Sequence, residues 1–292
     1  MSWLQLRLTI GREEVDALQD ALLETGALSV TLQDNGDDPV LEPGVGETPL
    51  WNQVQVTGLF AADIDTDKTL SQLATCYAGA LPPRAWQTLE EQVWERAWMA
   101  DYVPLQCGRR LWICPSWCPP TDPAAANLIL DPGLAFGSGT HPTTFLCLQW
   151  LDSQPLLGKS VIDYGCGSGI LGIAALLLGA ERVLAVDNDP QALLATRDNA
   201  ERNGIAQHRI SCCLPQHLSE VSAHIVLANI LAAPLIELSP TLTRCTATTG
   251  SICLSGIFGT QFNDVTSAYS HNFNFDEPVF DDQWVRLTGI KR

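Results

Sequence analysis

The chain has 292 residues, enough to bury a sizeable core in one large domain or in two smaller ones. Its 33 acidic residues outnumber its 16 Lys and Arg residues, which gives a formal net charge of −17. Such a surface repels nucleic-acid phosphates and anionic lipids, so we expect no direct nucleic-acid binding and no membrane partner. The sequence contains neither a secretory signal nor an apolar run that would span a membrane, which predicts a cytoplasmic protein.

The first 92 residues have the pattern of a small α+β domain. Alternation of apolar and polar residues predicts four strands, in "WLQLRLTI" (3–10), "ALSVTLQD" (27–34), "NQVQVTGLFA" (52–61) and "AWQTLEEQV" (85–93). Helical spacing predicts helices in "EEVDALQDALLETG" (13–26) and "DKTLSQLATCYAG" (67–79). The order β-α-β-β-α-β is that of ferredoxin-like domains. An acidic stretch rich in Gly and Pro, from Asp34 to Pro49, predicts a loop between the second and third strands.

A linker over residues 93–110 follows, and its first part, "VWERAWMADYVPL" (93–105), predicts a short helix that ends before a proline. Residues 111–292 then alternate short apolar strands with helices. The predicted strands are "LWICPSW" (111–117), "NLILDPG" (127–133), "SVIDYG" (160–165), "RVLAVDND" (182–189), "HIVLANI" (224–230), "GSICLSGIF" (250–258) and part of "EPVFDDQWVRLTGIKR" (277–292). The predicted helices are "HPTTFLCLQWLDS" (141–153), "LGIAALLLGA" (171–180), "QALLATRDNAERNG" (191–204) and "APLIELSPTL" (233–242). This alternation predicts an α/β domain with a parallel sheet that helices cover on both faces.

The stretch "VIDYGCGSGILG" (161–172) fits two different glycine fingerprints. From Gly167 it has the G-x-G-x-x-G spacing of a dinucleotide-binding turn, and from Asp163 it is an acidic residue followed by three alternating glycines. Glycines after a strand let the backbone turn sharply and approach a ligand, although such turns also occur for packing alone. Asp187 ends the strand "VLAVD", 22 residues after Gly165, where a carboxylate can bind a ribose diol. The two features together favour an adenosine-type ligand.

Asp163 separates the two interpretations of the glycine turn. NAD would place a doubly anionic pyrophosphate over this turn, where a carboxylate opposes it and no Lys or Arg is near in sequence. S-adenosylmethionine has no phosphate and presents an ammonium and a sulfonium, both of which a carboxylate favours. The charge therefore favours the methyl donor, and an NAD-dependent oxidoreductase remains the alternative.

Polar residues beside the predicted strands are further candidates for the site. Thr143 and Thr144 begin a predicted helix, where each either contacts the carboxylate of the donor or caps the helix. His141 is either a base or a structural residue. Asn229 ends an apolar strand at the rim where α/β proteins bind ligands, so it either orients a target amine or forms a turn.

The ten cysteines show no C-x-x-C spacing, and the sequence offers no partners for them at the spacing of a metal site. We therefore expect free thiols in a reducing compartment and no metal.

Five stretches together resemble the bacterial methyltransferases of ribosomal protein L11: "DPGLAFGSGTHPTT" (131–144), "VIDYGCGSGIL" (161–171), "AVDNDPQAL" (185–193), "RDNAERNG" (197–204) and "ANILAAPL" (228–235). The glycine turn is generic to class I methyltransferases, whereas the first and last stretches are more specific. The resemblance extends through "WERAW" (94–98) and the N-terminal half. Ser138 stands where the family usually has Thr, a change that keeps the hydroxyl.

The resemblance implies a Rossmann-like class I methyltransferase domain, with a mostly parallel seven-stranded sheet, behind an α+β ferredoxin-like domain that recognises the substrate. It implies transfer of methyl groups from S-adenosylmethionine, with S-adenosylhomocysteine as product, to lysine and N-terminal amines of ribosomal protein L11. The implied donor contacts are Thr144, Gly165, Asp187 and Asn229, to which the residue arguments add Asp163 and Gly167. We expect Asn229 to orient the target amine.

Some alternatives stay open at this point. The chain has N-I-L where other amino methyltransferases have N-P-P-Y, so the motif assigns no aromatic residue to the target nitrogen. Another basic protein, or RNA, is an alternative substrate, although the charge disfavours RNA. Nothing in the sequence indicates an oligomer, and we expect a monomer.

Overall fold

A computed structural model describes residues 2–36, 49–89, 102–131 and 139–292. The chain divides into two compact units, Met1–Met99 and Ala100–Arg292. Three predicted features lie outside the described residues: most of the acidic loop (37–48), the linker helix as far as residue 101, and Ser138. The predicted domain limits at residues 92 and 110 stay predictions.

The first unit is a four-stranded antiparallel sheet with two helices. In chain order its elements are β1 (Trp3–Gly11), α1 (Val15–Glu24), β2 (Ser29–Asp34), β3 (Gln53–Ala61), α2 (Thr66–Cys76) and β4 (Arg84–Leu89). The strands lie in the order β2-β3-β1-β4, with every neighbouring pair antiparallel. The predicted ferredoxin-like order β-α-β-β-α-β is confirmed.

Side-chain alternation explains how this unit buries its core. Leu6 and Leu8 of β1 point to the same face and pack with Leu18 and Leu22, which lie one turn apart on α1. All four side chains are buried. The carboxylate of Asp65 caps α2 by accepting hydrogen bonds from two amides of its first turn.

The second unit contains a small sheet and a large one. Its elements are β5 (Leu105–Gln106), β6 (Leu111–Cys114), β7 (Ala126–Ile129), α3 (Pro142–Ser153), β8 (Ser160–Tyr164), α4 (Ile170–Leu177), β9 (Arg182–Val186), α5 (Pro190–Arg202), β10 (Ile210–Cys213), β11 (Ala223–Asn229), α6 (Ala232–Glu237), α7 (Ser239–Cys245), β12 (Thr246–Phe258), α8 (Phe262–Tyr269), β13 (Phe273–Phe275), β14 (Val279–Asp281) and β15 (Trp284–Lys291). Strands β5, β6 and β7 form the small sheet.

The large sheet has the order β10-β9-β8-β11-β12-β15-β13, and the short β14 pairs with β15 as an eighth strand of the described residues. The five strands from β10 to β12 are parallel, and β15 runs antiparallel to β12. The predicted mostly parallel α/β sheet is confirmed. From β8 the chain first builds outward through β9 and β10, then returns to add β11 on the other side. The crevice at the carboxyl ends of β8 and β11 is therefore the expected place for a ligand.

Both faces of the large sheet are covered, as its apolar strands require. Val161 of β8 packs into a core that includes Ile173 of α4. Its neighbour Ile162 points to the opposite face and packs with Leu235 of α6 and Val265 of α8. Successive residues of one strand thus serve two separate cores.

One predicted helix is two helices in the structure. The sequence predicts a single helix over residues 233–242, but α6 ends at Glu237 and α7 begins at Ser239. Pro240 explains the break, because it has no amide hydrogen to donate to the carbonyl of Ile236. The two helices still pack against the same face of the sheet.

All ten cysteines are free thiols. In the described ranges, no group of three His, Cys, Asp or Glu side chains is arranged to hold a metal ion. Helices of the described residues are all too short or too polar to cross a membrane.

Candidate functional site

A cavity of about 680 Å³ opens at the carboxyl ends of β8 and β11. Four of the predicted site residues line it: Gly165, Gly167, Asp187 and Asn229. The other two, Thr144 and Asp163, lie behind this wall. Much of the remaining lining is apolar and comes from the segment after β11, from β8 and from β15: Tyr164, Ile230, Leu231, Pro234, Leu238 and Trp284.

Glycines shape the turn that connects β8 to α4. Gly165, Gly167 and Gly169 have φ values of 75°, 54° and 80°, a region that side chains disfavour. The amides of Gly165 and Cys166 both donate to the carbonyl of Val186, at 2.7 and 3.1 Å. These bonds hold the turn at the end of β9, so the backbone of the turn lies beside Asp187, the residue that follows β9.

The same hydrogen bonds argue against the dinucleotide interpretation. The amide of Gly167 donates to the carboxylate of Asp187 at 2.9 Å, and that of Gly169 to the carbonyl of Cys166 at 2.7 Å. These amides, with that of Gly165, therefore have partners within the protein and do not point to a phosphate. Among the described residues that line the cavity, none is a Lys or an Arg that would balance a pyrophosphate.

Asp187 follows β9 and holds a carboxylate in the cavity wall. Its Oδ2 accepts from the amide of Gly167 at 2.9 Å, and its Oδ1 accepts from the amide of Asp189 at 3.0 Å. Each carboxylate oxygen has a second lone pair, so the fixed side chain can still accept hydrogen bonds from two hydroxyls of a diol. This is the geometry expected for a ribose-binding carboxylate.

Asp163 does not reach the cavity. The side chain is buried, and its Oδ2 accepts a hydrogen bond from the amide of Gly172 at 2.9 Å. Its Oδ1 has no hydrogen-bond partner among the described residues. Burial raises the pKa of Asp163 to about 7, the Gly172 amide opposes this shift, and the charge of Asp187 adds to it. Asp163 therefore makes no contact with the cavity, and its predicted direct contact with the donor is not what the structure shows.

His141 is the N-cap of α3. Its Nδ1 accepts from the amide of Thr143 at 3.3 Å and lies 2.8 Å from the hydroxyl of the same residue. Burial lowers the pKa of His141, so its imidazole is neutral at pH 7. Of the two interpretations from sequence, the structural one accounts for these contacts.

Thr144 and Asn229 form a hydrogen-bonded pair at the edge of the cavity. The side-chain amide of Asn229 donates to the hydroxyl of Thr144 at 3.2 Å. Thr144 is fully buried and does not line the cavity, whereas Asn229 does. The Oδ1 atom of Asn229 is buried and has no hydrogen-bond partner within the described residues. A buried acceptor of this kind calls for a donor from a ligand.

Trp284 is a lining residue that sequence reasoning missed. Its ring packs edge-on against Phe258, with 4.3 Å between ring centroids, and against His141, at 4.9 Å. It begins β15, the antiparallel strand, 55 positions after Asn229. No local motif marks it, and only its place in an alternating strand hinted at burial. With Tyr164 it gives the cavity wall two aromatic side chains, neither of which belongs to the N-I-L motif.

Comparisons with known proteins show the family of the chain. A family model described as "Ribosomal protein L11 methyltransferase (PrmA)" matches residues 2–292. The chain is 54% identical to the ribosomal protein L11 methyltransferase of Cellvibrio japonicus over 291 residues, covering 100% of this chain and 99% of the relative. It is 52% identical to that of Saccharophagus degradans, with 100% of both chains covered.

Among solved structures, the chain resembles a ribosomal protein L11 methylase from Lactobacillus delbrueckii subsp. bulgaricus. That match has a TM-score of 0.60 and 32% sequence identity, and it covers 65% of this chain and 100% of the other.

Proposed function

Because the chain belongs to the ribosomal protein L11 methyltransferase family, we propose that it transfers methyl groups from S-adenosylmethionine to ribosomal protein L11. The accepting groups are lysine side-chain amines and the N-terminal α-amine, and the product of the donor is S-adenosylhomocysteine. A ribosomal substrate places the enzyme in the cytoplasm. The observation that carries the proposal is the buried Oδ1 of Asn229, which has no partner among the described residues and belongs to the wall of a cavity whose described lining holds Asp187 but no Lys or Arg.

The residues of the cavity fit the methyl donor. Asp187 accepts from the two ribose hydroxyls, and the turn at Gly165 and Gly167 lets the backbone approach the donor closely. The carboxylates of Asp163 and Asp187 favour the cationic groups of the donor, and a pyrophosphate would face the same charges at a cost. When bound, S-adenosylmethionine supplies a methyl group on a positively charged sulfur, which an amine can attack.

Asn229 would hold the target amine. Its Oδ1 would accept an N–H of the amine, while its Nδ2 is occupied by the hydrogen bond to Thr144, which fixes the orientation of the amide. A lysine amine has an ordinary pKa of about 10.4 and must be neutral to attack. The ring of Trp284 and the apolar side chains of Ile230 and Leu231 exclude water, which favours the neutral form.

Most of the rate enhancement then comes from positioning. The chain holds the amine nitrogen in line with the methyl carbon, the new N–C bond forms as the C–S bond breaks, and the surplus proton leaves the nitrogen to water. Because His141 caps the helix through its Nδ1, we do not assign it the role of general base. No covalent enzyme intermediate is required.

The net charge of −17 supports a basic protein as substrate. An acidic enzyme attracts a basic partner over several ångströms and repels bare RNA, which raises the association rate and improves selectivity. Methylation of RNA is disfavoured for the same reason.

The proposal is tested by incubating the protein with methyl-labelled S-adenosylmethionine and, in parallel, purified L11, other basic ribosomal proteins and ribosomal RNA. We expect label in L11, which fragmentation by mass spectrometry assigns to lysines and the N-terminus. Asn229→Ala is the matched variant and should lose transfer. Label in RNA alone, or in another protein in preference to L11, would overturn the assignment of L11 as the substrate.

A further inference from the structure

Strand β12 contains a bulge beside Asn229. Ser255 lies opposite Asn229 in the parallel pair β11–β12. On its other side, β12 pairs Leu254 with Leu287 and Ile257 with Val285, so two residues of β12 face one residue of β15. The extra residue makes Ser255 and Gly256 a β-bulge, a feature that re-aims the chain and often lies next to a site.

Gly256 lets the segment after Asn229 pass close to β12. Its φ is 82°, and a Cβ atom here would lie 2.8 Å from the carbonyl carbon of Ile230 and closer still to its oxygen. These are backbone atoms, which cannot rotate away as a side chain can. Gly165 borders Ile230 from the other side, since a Cβ there would overlap with the Ile230 side chain. Ile230 is thus held between two glycines, all three lining the cavity.

Ser255 supports the helix turn that holds Thr144, the hydrogen-bond partner of Asn229. Its side chain is fully buried, and its hydroxyl lies 3.1 Å from the carbonyl of Thr143 and 3.4 Å from that of Val285. Thr143 precedes Thr144 in the first turn of α3, and the Thr144 hydroxyl accepts from Asn229. The two bulge residues therefore act on both partners of this hydrogen bond. Gly256 packs against Ile230, the residue after Asn229, and Ser255 bonds to Thr143, the residue before Thr144.

We propose that Ser255 and Gly256 are positioning residues, which set where Asn229 presents its free oxygen to the accepting amine. Neither touches the amine. Displacement of the segment by even one ångström would move that oxygen away from the line of attack, while the Asp187 carboxylate, which bonds to neither bulge residue, would keep its hydrogen bonds to Gly167 and Asp189. Because the amine is the acceptor only under the proposed function, the kinetic part of this inference rests on that function.

The test compares Gly256→Ala and Ser255→Ala with two controls that make the same kind of change away from the site. Gly204→Ala introduces a side chain at a φ of 66°, with nothing within 4 Å of the new Cβ. Thr246→Val removes a buried hydroxyl that donates to the carbonyl of Leu242 at the far end of the same strand. The readouts are kcat and KM for L11, the Kd of S-adenosylmethionine by calorimetry, thermal unfolding, and crystal structures of the variants.

We expect Gly256→Ala to lower kcat about 100-fold and Ser255→Ala about tenfold, since small displacements at a reacting centre have effects of this order. The Kd of the donor should change less than about threefold, because the ribose contact at Asp187 is untouched. Thr246→Val should lose about as much thermal stability as Ser255→Ala, and Gly204→Ala should lose less than Gly256→Ala because it adds the φ strain without the backbone clash. Both controls should keep an unchanged kcat. An equal loss of kcat in the controls would mean that the bulge residues affect only stability and do not position Asn229.

The crystal structures separate this inference from the proposed function. If the wild-type protein binds the donor but methylates no ribosomal protein, the proposed substrate fails. In that case the distance from Asn229 Nδ2 to Thr144 Oγ1, 3.2 Å in the wild type, still tests whether Ser255 and Gly256 position this pair. It should lengthen, with a shift of the Ile230 backbone, in Gly256→Ala. An unchanged site in both bulge variants would overturn the inference.

Discussion

The side-chain amide of Asn229 donates a hydrogen bond to the hydroxyl of Thr144, 3.2 Å away, although the two residues stand 85 positions apart in the chain. One ends a strand and the other begins a helix, and they meet because both elements reach the same edge of the sheet. The bond fixes the orientation of an amide whose oxygen is buried and has no hydrogen-bond partner among the described residues. It also explains why a threonine that does not line the cavity still matters to the site.

Substitutions of this pair should be strongly coupled. We expect Thr144→Val to lower kcat about tenfold, in line with the loss of one hydrogen bond, and Asn229→Ala to lower it about 100-fold. The double variant should be no worse than Asn229→Ala alone, because Thr144 acts through Asn229. Steady-state kinetics with L11 measure all three. Additive losses would mean that Thr144 contacts donor or substrate by itself.

Asp187 should control donor affinity. Asp187→Ala removes the carboxylate that we propose accepts two hydrogen bonds from the ribose, so we expect the Kd of S-adenosylmethionine to rise about 100-fold. Calorimetry measures this, with NADH as a second ligand that should not bind. Asp189→Ala is the control: Asp189 caps α5 by accepting from the amide of Gln191, so its loss should reduce stability by about 1 kcal/mol without changing the Kd. A Kd for Asp187→Ala within twofold of wild type contradicts the assignment.

Asp163 should make both stability and donor binding depend on pH. Its pKa in the folded protein, about 7, lies above the ordinary value of 3.8, so the folded state holds this proton more tightly than the unfolded chain. Its contribution to stability is therefore present at acid pH and is lost as the pH rises from about 4 to about 7. Chemical unfolding over this range should show the loss in the wild type and its absence in Asp163→Asn.

The same variant should bind the donor less well. Above pH 7 the wild-type carboxylate is charged and favours a cationic ligand, so Asp163→Asn should weaken the affinity for S-adenosylmethionine about tenfold. At pH 8 the unliganded variant should nonetheless unfold at a higher temperature than the wild type. Parallel stability curves for the two proteins between pH 4 and 8 would contradict the raised pKa.

Trp284 should matter to the protein substrate more than to the donor. We expect Trp284→Ala to lower kcat/KM for L11 about 100-fold and Trp284→Phe about tenfold, because Phe retains part of the aromatic wall. Phe280→Ala is the control: its ring lies on the adjoining strand β14, is half exposed and does not line the cavity. Comparable losses in the two alanine variants would assign the effect to packing of the β14–β15 hairpin.

Local features of the site were predictable because their causes are local. The glycine turn is readable since residues such as Gly165 need a φ that other residues avoid, whatever surrounds them. Asp187 and Asn229 are readable since a polar residue at the end of an apolar strand lies at the rim of the sheet. The prediction of a single helix over residues 233–242 was wrong because it gave too little weight to a local cause, the missing amide hydrogen of Pro240.

By itself, then, the sequence determined most of the helices and strands in their order, though not β5, β10, α8, β13 or the break between α6 and α7. It also determined the edge of the sheet at which the cavity lies and the acidic character of the protein. The tertiary structure decided which side chains meet there. Asp163 and Thr144 lie behind the wall that Asp187 and Asn229 form, and Trp284 enters from the antiparallel strand β15. The reason is physical: the strand order places β12 between β11 and β15, and the register shift between Leu254 and Ile257 sets how β15 pairs with β12. Such pairings arise from packing between distant segments, which no local pattern encodes.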